Sequence, residues 1–190
     1  AGRIRRGDVE TLRAVVWFSD LRGFTEMSSR ATPATIVSVL NELFDCQVPA
    51  IEKHGGEVLK FIGDGLLAIF PFEGDLGAPC GEALAAAREA FEALDARNAR
   101  ASAPIRFGLA LHAGDVAYGN IGGASRLDFT AIGPAVNLAA RLEGLTSKLD
   151  RKLVLSAELA PHAGVPLEDL GTFDLKGVPG PQRVFAPKEP

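Results

Sequence analysis

Apolar residues run without a break from Ala14 to Phe18, and this run marks the first element of the fold. Extended to Leu12–Ser19, it is typical of a central strand that is buried on both faces. Thr32-Pro33 is a helix-start signal, and apolar residues then recur at helical spacing to about Lys53. The pattern therefore predicts a strand followed by a long amphipathic helix that ends at His54-Gly-Gly56.

Hairpins and helices alternate along the rest of the chain. The strands Glu57–Ile62 and Leu66–Phe70 flank Asp64-Gly65, and Asp-Gly is the ordinary turn of a two-residue hairpin. An Ala-rich helix is predicted from about Glu82 to Arg100. The later elements are a strand at Pro104–His112, a hairpin of Asp115–Tyr118 and Leu127–Ile132 joined by Gly119–Ser125, a helix from Gly133-Pro134, and short strands at Leu153–Leu155, Phe173–Leu175 and Gln182–Phe185. This order favours an α+β sandwich with helices over one face of a mainly antiparallel sheet.

Composition narrows the class of protein. A chain of 190 residues suits one domain, and 47% apolar residues exclude a disordered chain. A net charge of −4 gives no electrostatic basis for binding nucleic acid. Cys46 and Cys80 have no paired spacing, so we expect free thiols in a reducing compartment.

The segment 1–10 is short, polar and basic, and is predicted to be a linker from a missing N-terminal regulatory region; residues 11–190 form the domain. No apolar run reaches the roughly 18–20 residues that span a bilayer. We therefore expect this segment to be soluble and cytoplasmic, with any membrane attachment of the full-length protein made through the missing region.

Two aspartates carry the strongest chemical signal. Asp20 follows the first apolar strand, and Asp64 lies between two further strands. Carboxylates at adjacent strand ends can hold two divalent cations about 4 Å apart, as in displacement reactions at phosphorus. Alone, Asp64 is explained better as a turn residue than as a metal ligand, so the signal comes from the pair.

Three further positions have two interpretations each. Lys60 is predicted to share a face with Val58 and Ile62, either as an edge residue that reaches water or as a group that faces a ligand. Asn137 and Arg141 are four apart on one helix face, which is either solvated or presents an amide and a guanidinium to a sugar and a phosphate. The pattern leaves these alternatives open.

Four motifs in order resemble the catalytic domain of class III nucleotidyl cyclases over about Leu12–Phe185. They are Phe18-Ser-Asp-Leu-Arg-Gly-Phe-Thr25, Glu57-Val-Leu-Lys-Phe-Ile-Gly-Asp-Gly65, Thr130-Ala-Ile-Gly-Pro-Ala-Val-Asn-Leu-Ala-Ala-Arg141 and Leu175-Lys-Gly177. The resemblance implies a ferredoxin-like (palm-type) α+β sheet with helices packed on it and a head-to-tail homodimer with active sites at its interface. It also implies conversion of ATP to 3′,5′-cyclic AMP and pyrophosphate in signal transduction, with two Mg²⁺ or Mn²⁺ ions per site.

The resemblance assigns a role to each matching position. Asp20, Asp64 and the Leu21 carbonyl resemble the metal ligands. Lys60 and Thr130 resemble the pair that selects adenine, where many members of the family carry Asp in place of Thr. The remaining assignments are Asn137 for orienting the ribose, Arg141 for stabilising the α-phosphate, Lys176 for binding the terminal phosphates, and Arg126 as a further phosphate contact.

The resemblance leaves rival functions to be excluded. A guanylyl cyclase usually carries Glu and a small residue such as Cys where this chain has Lys60 and Thr130. A diguanylate cyclase needs a Gly-Gly-Asp/Glu-Glu-Phe tip, whereas this chain has Ile62-Gly-Asp-Gly65. A catalytically silent nucleotide-sensing or dimerisation domain is the third rival, although every matched catalytic position is present in this chain.

Overall fold

The predicted central strand is β1, Val9–Leu21, and it lies in the middle of the sheet. The computed structural model describes Gly7, residues 9–123 and residues 126–189, with positions 126, 127 and 129 described by their backbone alone. After β1 the elements are α1 (Phe24–Arg30), α2 (Pro33–Lys53), β2 (Glu57–Ile62), β3 (Gly65–Pro71), α3 (Gly77–Arg100), β4 (Phe107–Gly123), β5 (Arg126–Ile132), α4 (Pro134–Lys148), β6 (Leu153–Ser156), a 3₁₀ turn (Ala160–His162), β7 (Leu167–Phe173) and β8 (Gln182–Pro187).

The strands form one mainly antiparallel sheet in the order β2-β3-β1-β4-β6-β8-β7, with β5 paired to β4 beside this path. The pairing of β4 with β6 is parallel, and the other neighbouring strands are antiparallel. This confirms the predicted α+β class, a palm-type sheet with helices packed on it.

Helices cover both faces of this sheet. Val15 and Trp17 of β1 pack in one core cluster with α2 and α3. Ala14 and Val16 point the other way and pack against α4. The expectation of helices over one face is therefore wrong for α4. The reason lies in the centre of β1, because the run Ala14–Phe18 is apolar at every position and must be covered on both sides.

The hairpin of β2 and β3 turns one residue earlier than predicted. Ile62 pairs with Gly65, so the two loop residues are Gly63 and Asp64 rather than Asp64 and Gly65. Gly63 takes the positive φ of 60° that the turn requires, and Asp64 does not. Asp64 therefore lies at the tip of the hairpin, but Gly63 is the residue that takes the unusual backbone conformation of the turn.

A β-bulge in β2 places Lys60 on a different face from the one predicted. The pairing with β3 shifts between Val58 and Lys60, which leaves Leu59 as the extra residue. Val58 packs with the α2 and α3 cluster, whereas Leu59 packs with the α4 cluster. After the bulge Lys60 pairs with Leu67, a residue of the α4 cluster, so Lys60 lies on the α4 face and not with Val58.

Several element boundaries differ from the predicted ones. β4 continues to Gly123, so Gly119–Gly123 pair with β5 instead of forming a free connection. α3 begins at Gly77 rather than Glu82, and β7 ends at Phe173, before Leu175. β1 includes Val9 and Glu10, and most of the predicted linker before them lies outside the described residues.

The ends of α2 match their sequence signals. Thr32 caps the helix by accepting a hydrogen bond from the Thr35 backbone N–H at 3.2 Å, and Pro33 occupies the first turn. His54 follows the last turn and contacts Glu82 at 2.8 Å and Glu89 at 3.0 Å on α3. These contacts hold α2 against α3 and raise the pKa of His54.

A buried polar network joins α2 to the end of β1. The side chain of Gln47 is fully buried, and its Oε1 accepts hydrogen bonds from Trp17 Nε1 at 3.2 Å and Ser19 Oγ at 2.6 Å. The network holds β1 in place at Ser19, the residue directly before Asp20.

Substitution Gln47→Leu leaves two buried donors without an acceptor, and we expect it to destabilise the protein by roughly 1–3 kcal/mol. Urea unfolding followed by Trp17 fluorescence measures this change. The double variant Ser19→Ala/Gln47→Leu removes one orphaned donor and should recover part of the loss. Equal stability of the single variant and the wild type would contradict the role of the network.

Candidate active site

The structure brings Asp20 and Asp64 together. Asp20 pairs with Gly65 across β1 and β3, which sets it beside the hairpin tip that carries Asp64. The two carboxyl side chains are hydrogen-bonded to each other. A Cβ at Gly65 would lie 3.1 Å from the carbonyl oxygens of Ser19 and Ile62, so the close approach of the strands depends on glycine.

The surroundings of this pair favour the protonated form of Asp20. Burial, the hydrogen bond that protonated Asp20 donates to Asp64, and the negative charges of Asp64 and Glu143 together raise the pKa of Asp20 to about 8. The backbone N–H of Leu21 donates to the Asp20 carboxyl and partly opposes this rise. A metal-free site at neutral pH therefore keeps a proton on Asp20.

Glu143 is a third carboxylate near the pair, and the sequence did not indicate it. It lies on α4, where burial raises its pKa to about 7, opposed by the hydrogen bond from Thr146 and the charge of Arg22. Its Oε1 would lie 2.7 Å from a Cβ at Gly108 on β4, so a glycine in the sheet makes room for it. That glycine inside a strand was the available signal, because such positions mark close approach.

The donor set fits a hard divalent cation. Aspartate oxygens are the ligands that Mg²⁺ and Mn²⁺ prefer, and neighbouring carboxylates with a raised pKa are relieved by a positive charge between them. Within the described part of the chain, no group of three or more His, Cys, Asp or Glu side chains is placed to hold a metal.

Lys60 and Thr130 both lie half-buried where β2 and β5 come together. Their neighbours Leu59 and Ala131 pack in the same cluster beneath α4, while Thr130 pairs with Gly119 of β4. The bulge in β2 is what places Lys60 on the α4 face of the sheet. The side chain of Arg126 lies outside the described residues.

Asn137 and Arg141 are exposed on α4, which begins at Pro134 as predicted. Asn137 Nδ2 donates to the carbonyl oxygen of Gly177 at 3.4 Å, so it lies beside the loop that carries Lys176. Lys176 is itself exposed, just after β7. The structure therefore brings Asn137 and the Lys176 loop together.

The side chains of the predicted site face two different directions on one chain. At 100° per residue, Arg141 and Glu143 are about 200° apart around α4. Glu143 faces the sheet, where it feels the charges of Arg22 and Asp64. Arg141, and Asn137 one turn before it, point to solvent on the other side of the helix. Within one protomer Arg141 therefore turns away from the aspartates.

Neither described cavity unites these groups. A cavity of about 740 Å³ at α3, β6 and β8 contains none of the predicted site residues in its walls. A second cavity, of about 420 Å³, has Asn137 and Gly177 in its walls but not the aspartates.

Comparisons with known proteins agree with this fold. Residues 10–186 match the family model described as "Adenylate and Guanylate cyclase catalytic domain". The chain is 35% identical over 171 residues to an adenylate cyclase of Anabaena cylindrica, covering 86% of this chain and 33% of that protein. It thus spans about a third of the length of that relative.

Two solved structures are also similar. A bacterial light-regulated adenylyl cyclase superposes with a TM-score of 0.82 at 26% identity, covering 95% of this chain and 53% of the other. The guanylyl cyclase Cya2 superposes with a TM-score of 0.77 at 29% identity, covering 95% and 93% of the two chains. Among the described residues, no helix is long and apolar enough to cross a bilayer.

The raised pKa of Asp20 predicts how the stability of the metal-free protein depends on pH. Because its folded pKa of about 8 lies above the ordinary 3.8, the protonated group stabilises the fold fully below 3.8, and this contribution is lost as pH rises through about 8. We expect Asp20→Asn to keep its thermal stability in EDTA over this range better than the wild type, and to lose the stabilisation by Mg²⁺ that the wild type gains.

Thermal unfolding in EDTA and in Mg²⁺, over a pH series, measures both effects. Asp95→Asn, which removes an exposed carboxylate from α3, is the matched control and should follow the wild type. Parallel curves of melting temperature against pH for Asp20→Asn and the wild type would contradict the raised pKa of Asp20.

Proposed function

This chain belongs to the adenylate and guanylate cyclase catalytic domain family, and on that premise we propose that it converts ATP to 3′,5′-cyclic AMP and pyrophosphate in a head-to-tail homodimer. The observation that carries the proposal is the division of the site. Asp20 and Asp64 lie together, while Arg141 on the far side of α4 faces away from them. A second copy of the chain would supply the missing half to each pair of aspartates.

Asp20 and Asp64 would hold two Mg²⁺ or Mn²⁺ ions, with the Leu21 carbonyl as a further ligand. When bound, these ions supply Lewis acidity that lowers the pKa of the ribose 3′-hydroxyl and neutralises the triphosphate. The aspartates must then be ionised, so the proton held by Asp20 in the metal-free site leaves on binding.

The partner's copies of the exposed α4 residues act on the substrate. Asn137 orients the ribose so that its 3′-oxygen is in line with the α-phosphorus and the departing pyrophosphate. Arg141 stabilises charge on the α-phosphate, and Lys176 stabilises the leaving pyrophosphate. Arg141 and Lys176 are exposed in the single chain, as expected for groups that bind a phosphate at a subunit boundary.

Lys60 and Thr130 favour ATP over GTP. Both lie half-buried at the junction of β2 and β5, where a base can be read from its edge. A lysine donates to the adenine ring nitrogens, which are acceptors, and a threonine hydroxyl can both donate and accept. Guanine has the opposite pattern at the same edge, so it lacks this match.

The main alternative is a guanylyl cyclase, because the family covers both activities and the similar solved structures include one of each. Purified chain incubated with ATP or GTP and Mg²⁺ or Mn²⁺ decides between them by product chromatography. Cyclic GMP as the main product would overturn the assignment of ATP. No cyclic product with either nucleotide would favour the silent nucleotide-sensing alternative.

Complementation tests the shared site. Asp20→Ala and Asn137→Ala should each be inactive, and a mixture should recover about a quarter of the wild-type rate, since half of random dimers are mixed and one of their two sites is intact. Cyclic AMP formation by the separate and mixed chains measures this. Verified mixed dimers that remain inactive would contradict the model.

Lys60→Glu combined with Thr130→Cys should shift specificity toward GTP. A buried glutamate accepts from the guanine N–H groups but leaves adenine unmatched, so the ratio of kcat/KM for ATP over GTP should fall at least about 10-fold. Lys148→Glu, on the exposed last turn of α4, makes the same charge change away from the base. An unchanged ratio in the double variant would remove both residues from base selection.

A further inference from the structure

His112 is a buried polar residue without a role in the proposed mechanism. It lies in β4, only 5% exposed, on the side of the sheet opposite to Leu111 of the α2 and α3 cluster. Its Nδ1 is 2.8 Å from Ser156 Oγ and 3.6 Å from a Glu158 carboxylate oxygen. Burial lowers the pKa of His112, opposed by Glu158, so the ring is neutral near pH 7.

The other edge of the His112 ring lies below the first turn of α4. A Cβ at Gly114 would be 3.4 Å from His112 Nε2 and 2.8 Å from the Ala135 Cβ. Glycine at position 114 therefore lets β4, the imidazole and the start of α4 pack directly on one another. Asn137 follows Ala135 by two residues in the same helix.

His112 also borders the loop that carries Lys176. The cavity of about 420 Å³ is lined by His112 and Glu158 on one side and by Asn137 and Gly177–Pro179 on the other. Ser156, which contacts His112, pairs with Val184 of β8, the strand that follows this loop. His112 thus contacts Ser156 of the β6–β8 strand pair, which anchors the Lys176 loop. It also lies beneath α4, the helix that carries Asn137.

We propose that His112 is a positioning residue that holds Asn137 and the Lys176 loop at the separation required by the nucleotide. The proposal rests on the proposed cyclase function. His112 acts through Ser156 and the first turn of α4, and it does so for the half of the site that this chain supplies to its partner. It has no part in holding Asp20 and Asp64 of its own chain.

Kinetics of His112→Phe give the first test. The variant replaces the imidazole with an aromatic ring that has no nitrogens, and kcat for ATP should fall roughly 10- to 100-fold, since small misplacements of catalytic groups cost this much. Ser156→Ala should lower kcat similarly, and the double variant should be no worse than the poorer single one. The thermal shift given by Mg²⁺ should be unchanged in all three.

His54→Gln is the matched control. It removes a histidine that bridges two elements, α2 and α3, far from this cavity, so it should lower thermal stability and leave kcat unchanged. A loss of activity that tracks melting temperature equally in His54→Gln and His112→Phe would show that His112 is merely structural.

Mixing experiments locate the defect within the dimer. His112→Phe mixed with Asp20→Ala should gain activity, because each mixed dimer has one site with intact aspartates and an intact partner half. His112→Phe mixed with Asn137→Ala should gain none, because both changes damage the same half. The reverse pattern would overturn the positioning role.

Mixing Asp20→Ala with Asn137→Ala separates a failure of the proposed cyclase function from a failure of the proposed role of His112. If Asp20→Ala and Asn137→Ala fail to complement each other, the shared-site function itself fails. If they complement but His112→Phe and Asp20→Ala do not, the proposed role of His112 alone is wrong.

Discussion

The pairing of β1 with β3 is the constraint on which the site depends. It sets Asp20 opposite Gly65 and so places its partly buried carboxyl group beside that of Asp64. Burial first, and then the hydrogen bond to Asp64 and the nearby negative charges, raise the pKa of Asp20 to about 8. Two ionised carboxylates at these positions would repel each other, so the ionised pair depends on a surrounding structure that holds it in place. Here β1 pairs along its length with β4 and is buried by helices on both faces. A strand in the middle of the sheet therefore carries one of the two carboxylates, and a cation would relieve their repulsion once both are ionised.

How far the sequence predicts this structure depends on the range of the interactions involved. The strand β1, the helix α2 with its Thr32 cap and the start of α4 were predicted, because their signals are local and periodic. The face of Lys60 was not, because a bulge at Leu59 is set by pairing with β3 and leaves no mark in the period of two. The length of β4 was also missed. Its glycine-rich end has little preference for a strand by itself and is extended only because it pairs with β5.

Glu143 shows the same limit within the site. In sequence it stands two residues after Arg141 and looks like a possible ion-pair partner for it. In the fold it turns to the sheet, where Gly108 leaves space, and adds a third negative charge near Asp20. The motifs indicate the residues that we propose to contact the substrate, but the charge around the aspartates depends also on a group, Glu143, that only packing brings near. The electrostatics of the site therefore had to come from the structure.

Helix α4 explains why one chain is incomplete. Its inward side carries Glu143 and the apolar residues that cover β1 and β4, and its outward side carries Asn137 and Arg141. Rotating the helix to bring Arg141 toward the aspartates of the same chain would expose Leu138, Leu142 and Leu145, all buried now. Burial of each such side chain is worth about 1.5–3 kcal/mol, so the rotation costs several times more than one phosphate contact returns. The hydrophobic side of α4 thus fixes its polar side outward, where the second copy of the chain in the proposed homodimer would bring aspartates to it.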